Sequence, residues 1–179
     1  MSSALSNRPT TFLWRFLLIL LLLLEDLSQN CPQFVSTLIN KGVFFEDSHS
    51  YLYTTSLLNT WLSGLNLNDK QLKFDGQQLI RFALKNNDEC SSLLHYSLLE
   101  IVQKKLVTNL TVKFFTQLIA EAAKQERNDV QLEKLSQILI VALKANCVED
   151  FNEKAKATLL KKLPAQCSFL SMFLQRLKL

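Results

Sequence analysis

Glycine and proline are scarce, with three of each in 179 residues. Sandwiches and barrels built from many short strands need frequent turn residues, so this scarcity excludes them and points to an all-α chain. It also excludes a glycine-rich phosphate loop. Histidine occurs only at His49 and His95. The four cysteines, Cys31, Cys90, Cys147 and Cys167, are far apart in sequence, and no two have the spacing of a metal knuckle. Strong charge of one sign is missing too. A net charge of +4 and a pI near 8.9 are mildly basic and fall short of a dedicated nucleic-acid footprint.

What the chain does have is apolar substance. Hydrophobic residues make up 48% and charged residues 20%, which allows a sizeable core and argues against disorder. The length fits a single domain over residues 1–179, or one short solenoid. Each cysteine falls beside or within an expected helix, where a free thiol behaves as a small hydrophobe. Disulfides are expected only if the chain is secreted.

The apolar run Phe16 to Leu24 admits two interpretations. As a secretory signal it has Arg8 and Arg15 as its basic flank, but Glu25 and Asp26 follow at once and no small-x-small pair precedes Ser28. As a membrane span it is short of the roughly 20 apolar residues required. As a buried helix it follows Pro9 and the cap candidates Thr10 and Thr11, and a helix apolar all round belongs in a core. The buried helix is favoured, with residues 1–11 as a flexible N-terminus. In the alternative, residues 1–24 form a targeting signal or anchor, and membrane contact runs through residues 12–24. The sequon Asn109-Leu110-Thr111 suits secretion, yet one sequon arises by chance in a chain this rich in Asn, Ser and Thr.

Beyond this run the helical signals are regular. A helix capped by Asn30 or Cys31 carries Pro32 in its first turn and ends before Gly42. Another follows Asp47-Ser48, bears Trp61 and stops at Gly64; Leu65 to Lys73 is a polar loop. Asp75 caps a helix with Gln78 three residues on, a capping-box arrangement, and its face is Leu79, Ile80, Ala83 and Leu84. Leu93, Leu94, Ser97, Leu98, Ile101 and Val102 keep i, i+3, i+4 spacing. Helices are then expected after Thr108-Asn109 (Phe114, Phe115, Leu118, Ile119, Ala122), after Asn128-Asp129 (Leu132, Leu135, Ile138, Leu139, Leu143) and from Asp150 (Ala155, Leu159, Leu160, Leu163), the last ended by Pro164. Phe169, Phe173, Leu174 and Leu177 close the chain. The apolar centres Ile19, Leu57, Leu98 and Leu139 recur at roughly 40 residues, the range of two- or three-helix solenoid units. An irregular helical bundle is the alternative.

Leu20 to Val43 resembles the armadillo repeat: a leucine-rich helix, the turn Leu27-Ser28-Gln29-Asn30, a short amphipathic helix, then Lys41-Gly42. The resemblance covers one unit and implies a short right-handed superhelix of the armadillo/HEAT kind. Peptide-binding members carry an Asn whose amide clamps an extended ligand. Here Asp26 takes that place, and an ionised carboxylate cannot donate.

Catalytic chemistry finds no constellation. His49 belongs to a cap cluster with Glu46, Asp47 and Ser48. His95 and Glu100 are five residues apart, a poor pairing on one helix, and a Cys90/His95 nucleophile lacks a third orienting group. His95 is expected at a surface or boundary. No enzyme, cofactor or metal site is expected. Lys154, Lys161 and Lys162 share part of a helix face, with Lys156 turned elsewhere. Without neighbouring aromatics or arginines they give only weak grounds for nucleic-acid contact. Both ends look uncapped for a solenoid, so a protein partner or a longer form of this chain is expected to cover them. The expected function is a non-catalytic scaffold, cytoplasmic or nuclear, whose partner surface includes Phe169, Phe173, Leu174, Leu177, Lys154, Lys161 and Lys162. The alternatives are a secreted or membrane-associated helical protein and, more weakly, a basic adaptor touching nucleic acid.

Overall fold

The computed structural model describes residues 72–84, 89–124 and 129–178, together with Asn30, Gln33, Ser36, Thr37 and Asn40; the side chains of 89–93 are outside the description. The run Phe16 to Leu24, most of the armadillo-like unit, the Trp61 helix, His49, Cys31 and the Cys90 side chain also lie outside it. Among the described residues the chain is all-α: six α-helices, a 3-10 turn and one pair of two-residue strands. The strands are the one departure from a purely helical expectation, and they are too short to carry a periodic signal.

Strand β1 (Phe74–Asp75) leads into α1 (Gly76–Ala83). Asp75 caps α1 as expected, its Oδ1 accepting from the Gln77 and Gln78 amides at 3.0 and 3.2 Å. The reciprocal half of the capping box is not made. The Asp75 N–H donates instead to Asn40 Oδ1 at 2.7 Å, and Gln78 Oε1 is buried with no hydrogen bond. Asn40 is helical, and its Nδ2 also donates to the Lys73 carbonyl at 2.9 Å, so one carboxamide holds both sides of this backbone. Asn30 is helical as well and therefore lies inside its helix, not at the cap. Leu72, in the expected polar loop, is 1% exposed.

Helix α2 spans Glu89–Gln103, α3 Val112–Ala122, α4 Asp129–Lys144, α5 Glu153–Lys162 and α6 Ser168–Arg176, with the 3-10 turn at Ala165–Cys167. Two helices start later than the sequence signals indicate. Thr111, not Thr108 or Asn109, caps α3 by accepting from the Phe114 amide at 3.1 Å. Asn152, not Asp150, caps α5 by accepting from Ala155 at 3.0 Å. The apolar stripes bury as their spacing requires: Leu94, Leu98, Ile101 and Val102 on α2, Phe115 and Ile119 on α3, Leu132, Leu135, Ile138 and Leu139 on α4. On α6 the inward residues are Leu170 and Leu174, four apart, both fully buried.

A turn geometry recurs 41 residues apart. At the end of α2 the amides of Lys105 and Leu106 donate back to Val102 and Ile101; at the end of α4 those of Asn146 and Cys147 donate to Leu143 and Ala142. This is the Schellman pattern, and its left-handed residue is Lys105 (φ 61°) in one copy and Asn146 (φ 52°) in the other. A second left-handed residue follows in each, Asn109 (φ 63°) and Asp150 (φ 57°), and the caps Thr111 and Asn152 complete the match. Asn and Asp tolerate this region better than other side chains, which suits three of the four positions.

These turns lie beside one another. Phe74–Asp75 pairs in parallel with strand β2 (Val107–Thr108), and Thr111 bridges in parallel to Glu149. Their approach is close at Gly76, where a Cβ would sit 2.6 Å from Leu110 Cδ2 and 3.1 Å from the Thr108 carbonyl. Helices α2, α4 and α6 pack one on the next, α1 packs on α2, α3 on α4, and α5 on both α6 and α3. One hydrophobic core runs through all of them.

Candidate functional site

Helices α3 and α5 lie side by side and enclose a groove of about 600 Å³. Lys113 and Lys154 line it from equivalent places, each two residues beyond its helix cap and each exposed. Lys162, in the last turn of α5, lines it too. The lining between the lysines includes the short side chains of Thr116, Ala120, Ala155 and Thr158, together with Gln117. The Thr116 and Thr158 hydroxyls donate to carbonyls of their own helices, at 2.7 and 2.8 Å. Among the described residues no lining residue is acidic. The positive ends of two helix dipoles add to the lysines near Lys113 and Lys154. A groove of this kind attracts carboxylates and other anions.

The residues expected to form a partner surface do not all gather there. Lys154 and Lys162 do, and Lys113 joins them from 41 residues upstream. Lys161 is exposed on α5 but not part of the lining. Lys156 turns away: its Nζ pairs with Glu153 at 3.3 Å and donates to the Leu177 carbonyl at 2.6 Å, tying down the chain after α6. Leu174 is fully buried, which removes it from any surface. Phe173 is half-buried with the Lys144 ammonium 5.7 Å from its ring centroid, and Leu177 is half-buried. Phe169 alone of the four apolar residues is strongly exposed, beside α4 and not beside α5.

His95 corrects another expectation. It is 4% exposed, so it belongs to the interior and not the boundary. Its Nε2 lies 2.9 Å from Gln137 Oε1, a contact across 42 residues of sequence, and its Nδ1 has no hydrogen-bond partner. Gln137 Nε2 donates to Glu133 at 3.3 Å, which leaves Oε1 as the acceptor and assigns the proton to His95 Nε2. Burial lowers the His95 pKa below its ordinary 6.5; Lys134 acts in the same direction, while Gln137 and Glu133 oppose it without prevailing. The unfolded chain therefore takes up a proton that the folded chain resists. Stability is expected to be full above pH 6.5 and to fall as pH drops below it, by up to about 1.4 kcal/mol per pH unit. Urea midpoints at pH 7.5 and 5.5 should separate for the wild type more than for His95→Gln. Equal separation in the two proteins would remove His95 from this role.

Burial also raises the pKa of Cys147 and Cys167, so both thiols stay protonated. They are free cysteines. Asn109 of the sequon is exposed, and its Nδ2 donates to Asp75 at 3.2 Å. Among the described residues no three His, Cys, Asp or Glu side chains cluster as a metal site, and no helix is long and apolar enough to cross a membrane. No protein-family model, curated protein or solved structure matches the chain.

Proposed function

We propose that this chain is a non-catalytic scaffold, a short right-handed stack of helical hairpins of the armadillo/HEAT kind, that holds an acidic extended segment of a protein partner in the α3–α5 groove. One observation carries the proposal: the 41-residue recurrence of turn and cap brings Lys113 and Lys154 to equivalent positions on one groove with no acidic residue in its described lining. The same recurrence favours stacked units over an irregular bundle, because an irregular bundle has no reason to repeat a turn, a left-handed residue and a cap in register. The short side chains of Thr116, Ala120, Ala155 and Thr158 leave room for a backbone, the Gln117 carboxamide offers it a hydrogen-bond partner, and charge complementarity sets the sign of the ligand.

Fluorescence anisotropy of a labelled decaglutamate peptide on the full chain tests this. Binding is expected, and the triple variant Lys113→Glu, Lys154→Glu, Lys162→Glu should weaken it at least tenfold while Lys161→Glu leaves it within about twofold, since full charge reversal at a complementary site costs over 1.4 kcal/mol. A single-stranded oligonucleotide of equal charge that binds more tightly, with a steep salt dependence, would replace the protein partner by nucleic acid.

A further inference from the structure

A second surface lies on the other helices. Four large hydrophobic residues are exposed among the described residues: Tyr96 (69%), Phe169 (66%), Val130 and Met172. Three of them border two adjoining depressions. One, of about 160 Å³ between α2 and α4, is bordered by Tyr96 and Val130; the other, of about 630 Å³ between α4 and the 3-10 turn leading to α6, is bordered by Phe169. Glu133 and Gln137 line both, so the depressions form one surface. Solvent-exposed aromatics gathered round shared depressions mark an interaction site, whereas scattered ones do not.

The polar groups of this surface choose the partner's charge. Asp129 and Glu133 are exposed carboxylates, and neither forms a salt bridge among the described residues. Lys134, the one cation lining it among the described residues, is only 9% exposed and already has an interaction partner. The exposed carboxylates Asp129 and Glu133 ask for a cationic ligand, and the aromatic edges ask for apolar cover.

We infer that the α2–α4–α6 face docks a basic amphipathic segment of a partner protein, whose Arg or Lys side chains meet Asp129 and Glu133 and whose apolar side chains cover Tyr96, Val130 and Phe169. This surface is independent of the lysine groove and opposite to it in charge, so one chain joins an acidic segment to a basic one.

The test uses the full chain and two labelled 14-residue peptides, one of Lys and Leu with the leucines at i, i+3, i+4 and i+7 spacing and one all-Lys. The Lys–Leu peptide is expected to bind at least tenfold more tightly than the all-Lys peptide. Phe169→Ser with Tyr96→Ser should weaken the Lys–Leu peptide at least tenfold, and so should the isosteric pair Asp129→Asn with Glu133→Gln. Because these positions are exposed, the circular dichroism spectrum should be unchanged. Decaglutamate binding should be the same in all variants, which separates this surface from the α3–α5 groove whether or not that groove binds. Equal affinity for the two basic peptides would overturn the inference, as would unaltered Lys–Leu binding in either variant. A concentration-dependent dimer in sedimentation that disappears in the Phe169→Ser, Tyr96→Ser variant would overturn it in favour of a second copy of this chain.

Discussion

A chain truncated after Leu163 is expected to lose its cooperative unfolding transition. The deleted part holds Leu170 and Leu174, both fully buried, and Cys167 at 3% exposure. Full burial of a leucine stabilises by roughly 1.5–3 kcal/mol, so the two leucines together represent about 3–6 kcal/mol. Domains of this size are stable by only about 5–15 kcal/mol, and the loss also uncovers α4, on which α6 packs. The Lys156–Leu177 hydrogen bond and the Lys144–Phe173 contact go with it. Had α6 been an uncovered apolar face, truncation would have improved solubility without harming the fold. Thermal denaturation followed by circular dichroism distinguishes the cases: a sharp transition at the full-length midpoint would show that residues 164–179 are not core.

Replacing Phe115 by alanine is expected to destabilise the chain by about 3–5 kcal/mol, the range for emptying a phenylalanine site in a packed interior. Phe115 is fully buried in α3 and meets the Phe114 ring edge-on, with centroids 5.6 Å apart. Phe114 is itself held under the Arg81 guanidinium at 5.4 Å, so relaxation into the cavity is restricted from that side. The same substitution at Phe169, 66% exposed, should change stability by no more than about 0.5 kcal/mol. Urea unfolding of the two variants provides the comparison. Similar losses at both positions would contradict the assignment of Phe115 to the core and Phe169 to a binding face.

Much of the helical arrangement was legible because it rests on local periodicity. Stripes such as Leu94, Leu98, Ile101 and Val102 repeat within two turns, and burying one side of a helix is enough to explain them. Asp75 was readable as a cap for the same reason, since its acceptors and donors lie within three residues. The later caps were misplaced by two or three residues. The left-handed residues Asn109 and Asp150 insert an extra turn before α3 and α5, and neither position carries the glycine that announces such a turn. The helix ends at Lys105 and Asn146 lack it as well. Phe169, Phe173, Leu174 and Leu177 form one continuous apolar group in the sequence, in which the buried Leu174 and the exposed Phe169 look alike. Which side of that group faces inward depends on where α4 passes, and helical spacing alone does not supply it.

The two candidate surfaces illustrate the same limit. An all-α chain with a substantial core and a lysine cluster on α5 are determined by the sequence, because each follows from composition or from contacts within one helix. Lys113 and Lys154 are 41 residues apart, a spacing visible in the sequence but mute until the matching turns align α3 with α5. His95 is paired inside with Gln137, 42 residues away, and Tyr96, Val130 and Phe169 come to one surface only because α2 and α6 both pack on α4. Helical periodicity acts over three or four residues, whereas these juxtapositions depend on how helices distant in sequence pack, and only the tertiary packing of one apolar face on the next decides that.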